Sequence, residues 1–140
     1  MPQPTAQARP TGHPGYSVTL PREPESAASA RRLVRIALAV WTLEGLADDS
    51  ALILSELVSN AVQHARRKSI RLTVEHPAEA FVRVGIVDFS RVLPVRREPG
   101  NAYEQGRGLL LVAALSENWG TDMLPWGKRV WAELRDKGHG

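Results

Sequence analysis

Leu54, Leu57, Val58, Ala61 and Ala65 recur at i, i+3, i+4, i+7 and i+11, a spacing that an α-helix gathers on one side. Glu56, Asn60 and His64 recur at every fourth position through the same stretch. At ~100° per residue they fall within roughly 80° of one another, on the side opposite the apolar stripe. One side of this helix is committed to a core, and the other carries a carboxylate, a carboxamide and an imidazole. Asp48, Asp49 or Ser50 can cap it, and it runs to about Arg66. On spacing alone, Glu56-x-x-x-Asn60 is compatible with a hard-cation site or with a base beside a metal ligand, because Mg²⁺ prefers oxygen donors and needs few from the protein when phosphates supply the rest. A polar stripe at this spacing is more usually the solvated face of an amphipathic helix.

The segments around this helix alternate in strand fashion. Ile70 to Glu75 and Phe81 to Asp88 are β-rich and separated by His76-Pro77-Ala78-Glu79, which predicts an antiparallel hairpin with its turn at 76–79. Upstream, Tyr16 to Leu20 reads as a strand, placed at an edge by Pro21. A helix then opens near Pro24 and Glu25, with Ala28, Arg31, Leu33, Val34, Ala37, Leu38 and Trp41 at helical spacing, and Glu44-Gly45-Leu46 breaks it. Pro94, Pro99, Gly100 and Asn101 make 89–107 a long loop, and loops of that length in compact domains are usually functional or disordered. Gly106-Arg107-Gly108 opens an apolar helix from Leu109 to Leu115. Trp119 to Met123 is a short strand, and Arg129 to Leu134 a final one, with Val130, Ala132 and Leu134 on one face and Trp131 on the other. The order β-α-α-β-β-loop-α-β-β predicts an α+β sandwich with helices on one face of a mixed, mostly antiparallel sheet. Residues 1–15, rich in Pro, Gly, Gln and Thr, are expected to form a disordered arm, 16–136 the domain, and 137–140 a flexible tail.

A length of 140 residues with 43% apolar and 24% charged residues is that of one ordinary globular domain. The absence of cysteine excludes disulfides, thiolate metal sites and cysteine nucleophiles. No apolar run approaches the ~20 residues that span a bilayer, and no signal-peptide pattern opens the chain, so a cytoplasmic location is expected. The pI of about 9.8 comes from a net charge of only +3, with arginines scattered among acids. A nucleic-acid-binding domain concentrates its charge on one face, so direct nucleic-acid binding is not expected.

Two further signals bear on chemistry. Gly106-Arg107-Gly108 before a helix offers backbone N–H groups at a positive dipole end, a phosphate cradle or a plain turn, without the spacing or lysine of a P-loop. Asp88 ends a strand, where a carboxylate can accept a hydrogen bond from a ligand amine or cap the following turn.

In sequence order, Glu56-Leu57-Val58-Ser59-Asn60-Ala61-Val62-Gln63-His64-Ala65, Asp88, Gly106-Arg107-Gly108-Leu109-Leu110-Leu111-Val112 and Gly127-Lys128-Arg129-Val130-Trp131-Ala132-Glu133-Leu134 resemble the GHKL ATPase/kinase superfamily. They look most like its small anti-sigma-factor serine/threonine kinase branch of actinobacteria, and the similarity runs from about Tyr16 to Leu134. The resemblance implies a Bergerat-type two-layer α/β sandwich that binds ATP and Mg²⁺. It implies that Asn60 ligates the metal, that Glu56 is the general base, and that Asp88 receives the adenine amino group. Gly106, Arg107, Gly108 and Leu109 would hold the phosphates, with Arg91, Arg96 or Arg97 as further candidates for the transferred group, and the loop before them would be a lid. The implied partner is an anti-anti-sigma (STAS-type) protein, with a sigma factor as a second partner and a homodimer as the assembly. The resemblance also allows a module that docks such a partner without transferring phosphate. Two departures from the pattern bear on the adenine pocket. After Asp88, Ser90 replaces a glycine, with Phe89 and Val92 placed to narrow the site, and in the last strand Arg129 replaces a threonine. A long cation at 129 must either swing out of the pocket or intrude into it.

Overall fold

The computed structural model describes residues 5–6, 14–64, 67–89 and 109–138. In chain order the elements are β1 (Thr5–Ala6), β2 (Gly15–Pro21), α1 (Ser26–Val40), a 3₁₀ turn (Glu44–Leu46), α2 (Ala47–His64), β3 (Ser69–Ala78) and β4 (Phe81–Asp88). A helical segment over 109–115, α3, follows, then β5 (Asn118–Leu124) and β6 (Gly127–Arg135). The strands form one sheet in the order β1-β2-β3-β4-β6-β5. Every described pair is antiparallel, so the sheet is antiparallel throughout where a mixed one was expected. The α+β two-layer architecture is as the element order predicts, with α1 and α2 on one face. Among the described residues no helix is long and apolar enough to cross a membrane.

Strand alternation decides which face is covered. Val18 and Leu20, Ile70, Leu72 and Val74, Val82, Val84 and Ile86, and Val130, Ala132 and Leu134 are all buried and lie at every second position of their strands. Ala30, Val34 and Leu38 of α1 and Ile53, Leu54, Leu57 and Val58 of α2 complete the same core. Each such Leu or Ile contributes ~1.5–3 kcal/mol by leaving water. Arg71, Arg83, Arg129 and Trp131, at the intervening positions, face the other side.

Three local features have physical causes, and the last two of them differ from the sequence reading. The first is the stop of α1, which falls before the expected break at 44–46. Thr42 has a φ of 60°, Leu43 N–H donates to Leu38 O at 2.7 Å, and Thr42 N–H donates to Ala39 O at 3.2 Å. This is the paired bonding of a Schellman stop with its left-handed residue, so the helix ends before Glu44, and 44–46 form a 3₁₀ turn. Second, that turn runs straight into α2, so Asp48 and Asp49 lie inside its first turn instead of before it, where their charge favours the positive dipole end. Third, β3 continues through His76, Pro77 and Ala78, where a turn was expected, and the turn is Glu79-Ala80 with Ala80 at φ 68°. The register shift between Glu75 and Ala78 absorbs the proline. His76 is tied down on both sides, its ring stacked on Trp41 at 5.2 Å and its Nδ1 at 2.8 Å from Phe81 O.

Thr5–Ala6 pair with Tyr16 and Ser17. The remainder of the expected arm up to residue 13 lies outside the described residues, as do residues 139–140 of the expected tail.

Candidate functional site

The site forms where the C-terminal half of α2 lies over the ends of β4 and β6. Parity places its parts. Val82, Val84 and Ile86 point to the helices, so Asp88 does too; Val130, Ala132 and Leu134 do the same on β6, so Lys128 does as well. The two are direct cross-strand partners. From above, α2 brings Asn60 and His64, and these four polar residues with Leu57, Ala61, Ile86 and Val130 line a cavity of about 20 Å³. That is room for about one water molecule.

The polar stripe of α2 is therefore not a solvated face. Asn60 and His64 share their cavity with Leu57 and Ala61, at the border of the apolar stripe and not opposite it. Glu56 stands one turn before Asn60, half-buried, and outside the residues that line the cavity.

Asp88 and Lys128 form the most enclosed ion pair described. Lys128 Nζ is 2.9 Å from Asp88 Oδ2, with the side chains 4% and 5% exposed respectively, and it donates to Oδ1 at 3.2 Å. Charge-assisted hydrogen bonds of this kind are about twice as strong as neutral ones. Gly127 permits the approach: a Cβ at that position would stand 2.2 Å from the Asp88 carbonyl oxygen and 3.0 Å from Phe89 Cα. Only glycine lets β6 close on β4 at this point.

Of the two ways a cation at 129 can go, the structure takes the first. Arg129 lies on the outer face of the sheet, with Nη1 3.4 Å from Glu75 Oε1 and Nη2 3.2 Å from Asp122 Oδ2. The cation inside is its neighbour Lys128, which the sequence reading passed over. Counting back by twos from Val130 was the signal that identifies it. Phe89 also turns away from the cavity. Its ring stacks on Trp126 at 5.4 Å and 29°, and with Arg71 and Val87 it borders a depression on the outer face, so it does not narrow the inner one.

Gly106, Arg107 and Gly108, the candidate arginines 91, 96 and 97, Ser90, Val92 and the expected lid lie outside the described residues. Leu109 begins the described part of α3, half-buried, and Val112 anchors that helix in the core.

The donor set fits the two halves of a metal–nucleotide differently. Among the described residues no cluster of three or more His, Asp or Glu side chains could hold a metal. A single carboxamide, Asn60, suits a Mg²⁺ whose other ligands are phosphates and water. Where the resemblance places the base, the carboxylate is engaged by an ammonium, and the cavity beside it has room for about one water.

The family model described as histidine kinase-like ATPase domain matches residues 20–133. No curated protein matches the chain.

Proposed function

From the premise that this chain belongs to the histidine kinase-like ATPase domain family, we propose that it is an ATP-binding regulatory protein of the anti-sigma-factor kinase kind. In this reading it transfers the γ-phosphate of ATP to a serine or threonine of an anti-anti-sigma (STAS-type) partner in the cytoplasm. The observation that carries the proposal is the convergence of Asn60 and Asp88, from different elements, on one cavity, with Glu56 a turn before Asn60 on the same helix. Asn60 would hold Mg²⁺, which neutralises phosphate charge when bound. Glu56 takes the proton of the acceptor hydroxyl, and positioning and charge stabilisation supply most of the rate. Gly106, Arg107, Gly108 and Leu109 are assigned to the phosphates by resemblance alone. The test is transfer of radiolabelled phosphate from ATP to candidate partners; equal transfer by wild type and Glu56→Ala removes the base assignment.

A second reading is favoured by the Asp88–Lys128 pair: a module that binds nucleotide weakly and regulates by docking a sigma factor or an anti-anti-sigma partner. Partner binding that is indifferent to Mg-ATP, with no phosphate transferred, would select it. A homodimer belongs to either reading, and sedimentation of the free protein tests it.

A further inference from the structure

The two ends of the site disagree. Asn60 offers what a phosphate-bound Mg²⁺ requires, whereas Asp88, the carboxylate assigned to the adenine amino group, has the Lys128 ammonium on both its oxygens at 2.9 and 3.2 Å. We infer that Lys128 is the affinity-setting residue of this chain: it is an internal counter-ion that fills the base end of the pocket and must leave Asp88 before a purine enters. The inference rests on the reading of Asp88 as the base-recognising group.

Three observations carry it. The pair is built into the sheet, since Asp88 and Lys128 are register partners and the close approach at Gly127 leaves the strands no slack. The lysine lies inside the fold, 3% exposed, and lines with Asp88 a cavity of about 20 Å³, so with the pair closed there is room for about one water beside Asp88. The exchange is also unfavourable chemically. A neutral amine gives a carboxylate one ordinary hydrogen bond in return for a charge-assisted pair, and parting two buried, oppositely charged groups is costly.

The nearby cation Arg129 cannot play this part, because Glu75 and Asp122 hold it on the opposite face. A lysine can. Its compact head on a four-carbon stem moves between a paired and a swung-out position more readily than a planar guanidinium fork. The wild-type pocket is thus closed by one side chain and opened by its departure, and Lys128 determines which of the two functional readings the chain follows at a given nucleotide concentration.

Lys128→Thr removes both charge and bulk and keeps a strand-compatible residue; Lys128→Met removes the charge and keeps most of the bulk. Calorimetric titration with Mg-ATP, with circular dichroism and thermal unfolding as checks of fold, is expected to give Lys128→Thr an affinity at least about tenfold above wild type, with Lys128→Met between them. Equal or weaker binding by both folded variants overturns the inference. If wild type then binds and Asn60→Ala does not, the ATP reading stands without it. If none of the three folded proteins binds Mg-ATP, both fall. Loss of the fold in both variants makes Lys128 a structural counter-ion and overturns the inference as well.

Discussion

Gly127 faces the Asp88 carbonyl so closely that an added Cβ would lie 2.2 Å from that oxygen. No flexible side chain can yield, because the obstructing atoms belong to the backbone of β4. Gly127→Ala should therefore force the β4–β6 ladder apart at the site and cost ~2 kcal/mol, within the range of overpacking effects. Urea unfolding of wild type and variant measures it; an unchanged midpoint would mean the strands part there without strain.

Glu56 lies outside the residues lining the cavity, so its removal should separate chemistry from binding. Glu56→Ala is expected to reduce phosphate transfer by ~10²–10⁴-fold, the usual worth of a general base, while Mg-ATP affinity stays within about threefold. A parallel loss of affinity would place Glu56 in binding.

Asn60 should show its role through the metal. For Asn60→Ala we expect nucleotide affinity to fall about tenfold or more when Mg²⁺ is present, as for loss of one contact to a charged group. With the metal chelated, wild type and variant should coincide. Comparing titrations with and without chelator checks this, and a deficit that persists without Mg²⁺ would make Asn60 a direct nucleotide contact.

Arg129 provides the contrast to Lys128 one position earlier. Held by Glu75 and Asp122 on the outer face, it can be replaced by alanine with nucleotide affinity unchanged within about twofold. Stability should drop by ~1 kcal/mol, since Glu75 is buried and loses a charged partner. A change in nucleotide affinity larger than the change in stability would contradict the placement.

Thr42 occupies a left-handed conformation, φ 60°, at the stop of α1. A β-branched residue is strained there, whereas glycine is not. Thr42→Gly is expected to raise stability by ~0.5–1 kcal/mol, after the extra freedom glycine brings to the unfolded chain is set against the relieved strain. Thermal unfolding should show a rise of a few degrees.

How far the sequence spoke depended on whether one period dominated a segment. The apolar steps of α2 and the alternation of β3, β4 and β6 each have a single reading, and the two-layer architecture follows from their order. His76-Pro77 reads as a turn because proline usually is one; its place in a strand depends on a bulge and on the ring of Trp41, which is far away in sequence. At the site, the polar stripe of α2 was legible, but its direction was not. Whether Asn60 meets water or Asp88 depends on how α2 lies across the sheet, and no local pattern encodes that. Lys128 is the reverse case. Its inward direction is written in the parity of β6, as is the outward direction of Arg129 beside it.

The sheet order β4-β6-β5 also governs when the pocket comes into being. Asp88 leaves the ribosome well before the strand that pairs with it, and the whole of residues 89–126 must follow before Gly127 can close on it. The pairing of Asp88 with Lys128 that completes this end of the sheet thus joins segments remote in sequence, and contacts between remote segments are the slow ones to form. A nascent or partly folded chain can assemble α1, α2 and the β3–β4 hairpin from neighbouring sequence and still have no site. On the proposed reading, the cavity that would receive nucleotide exists only once β6 has joined the sheet, so competence to bind is itself a report on maturity.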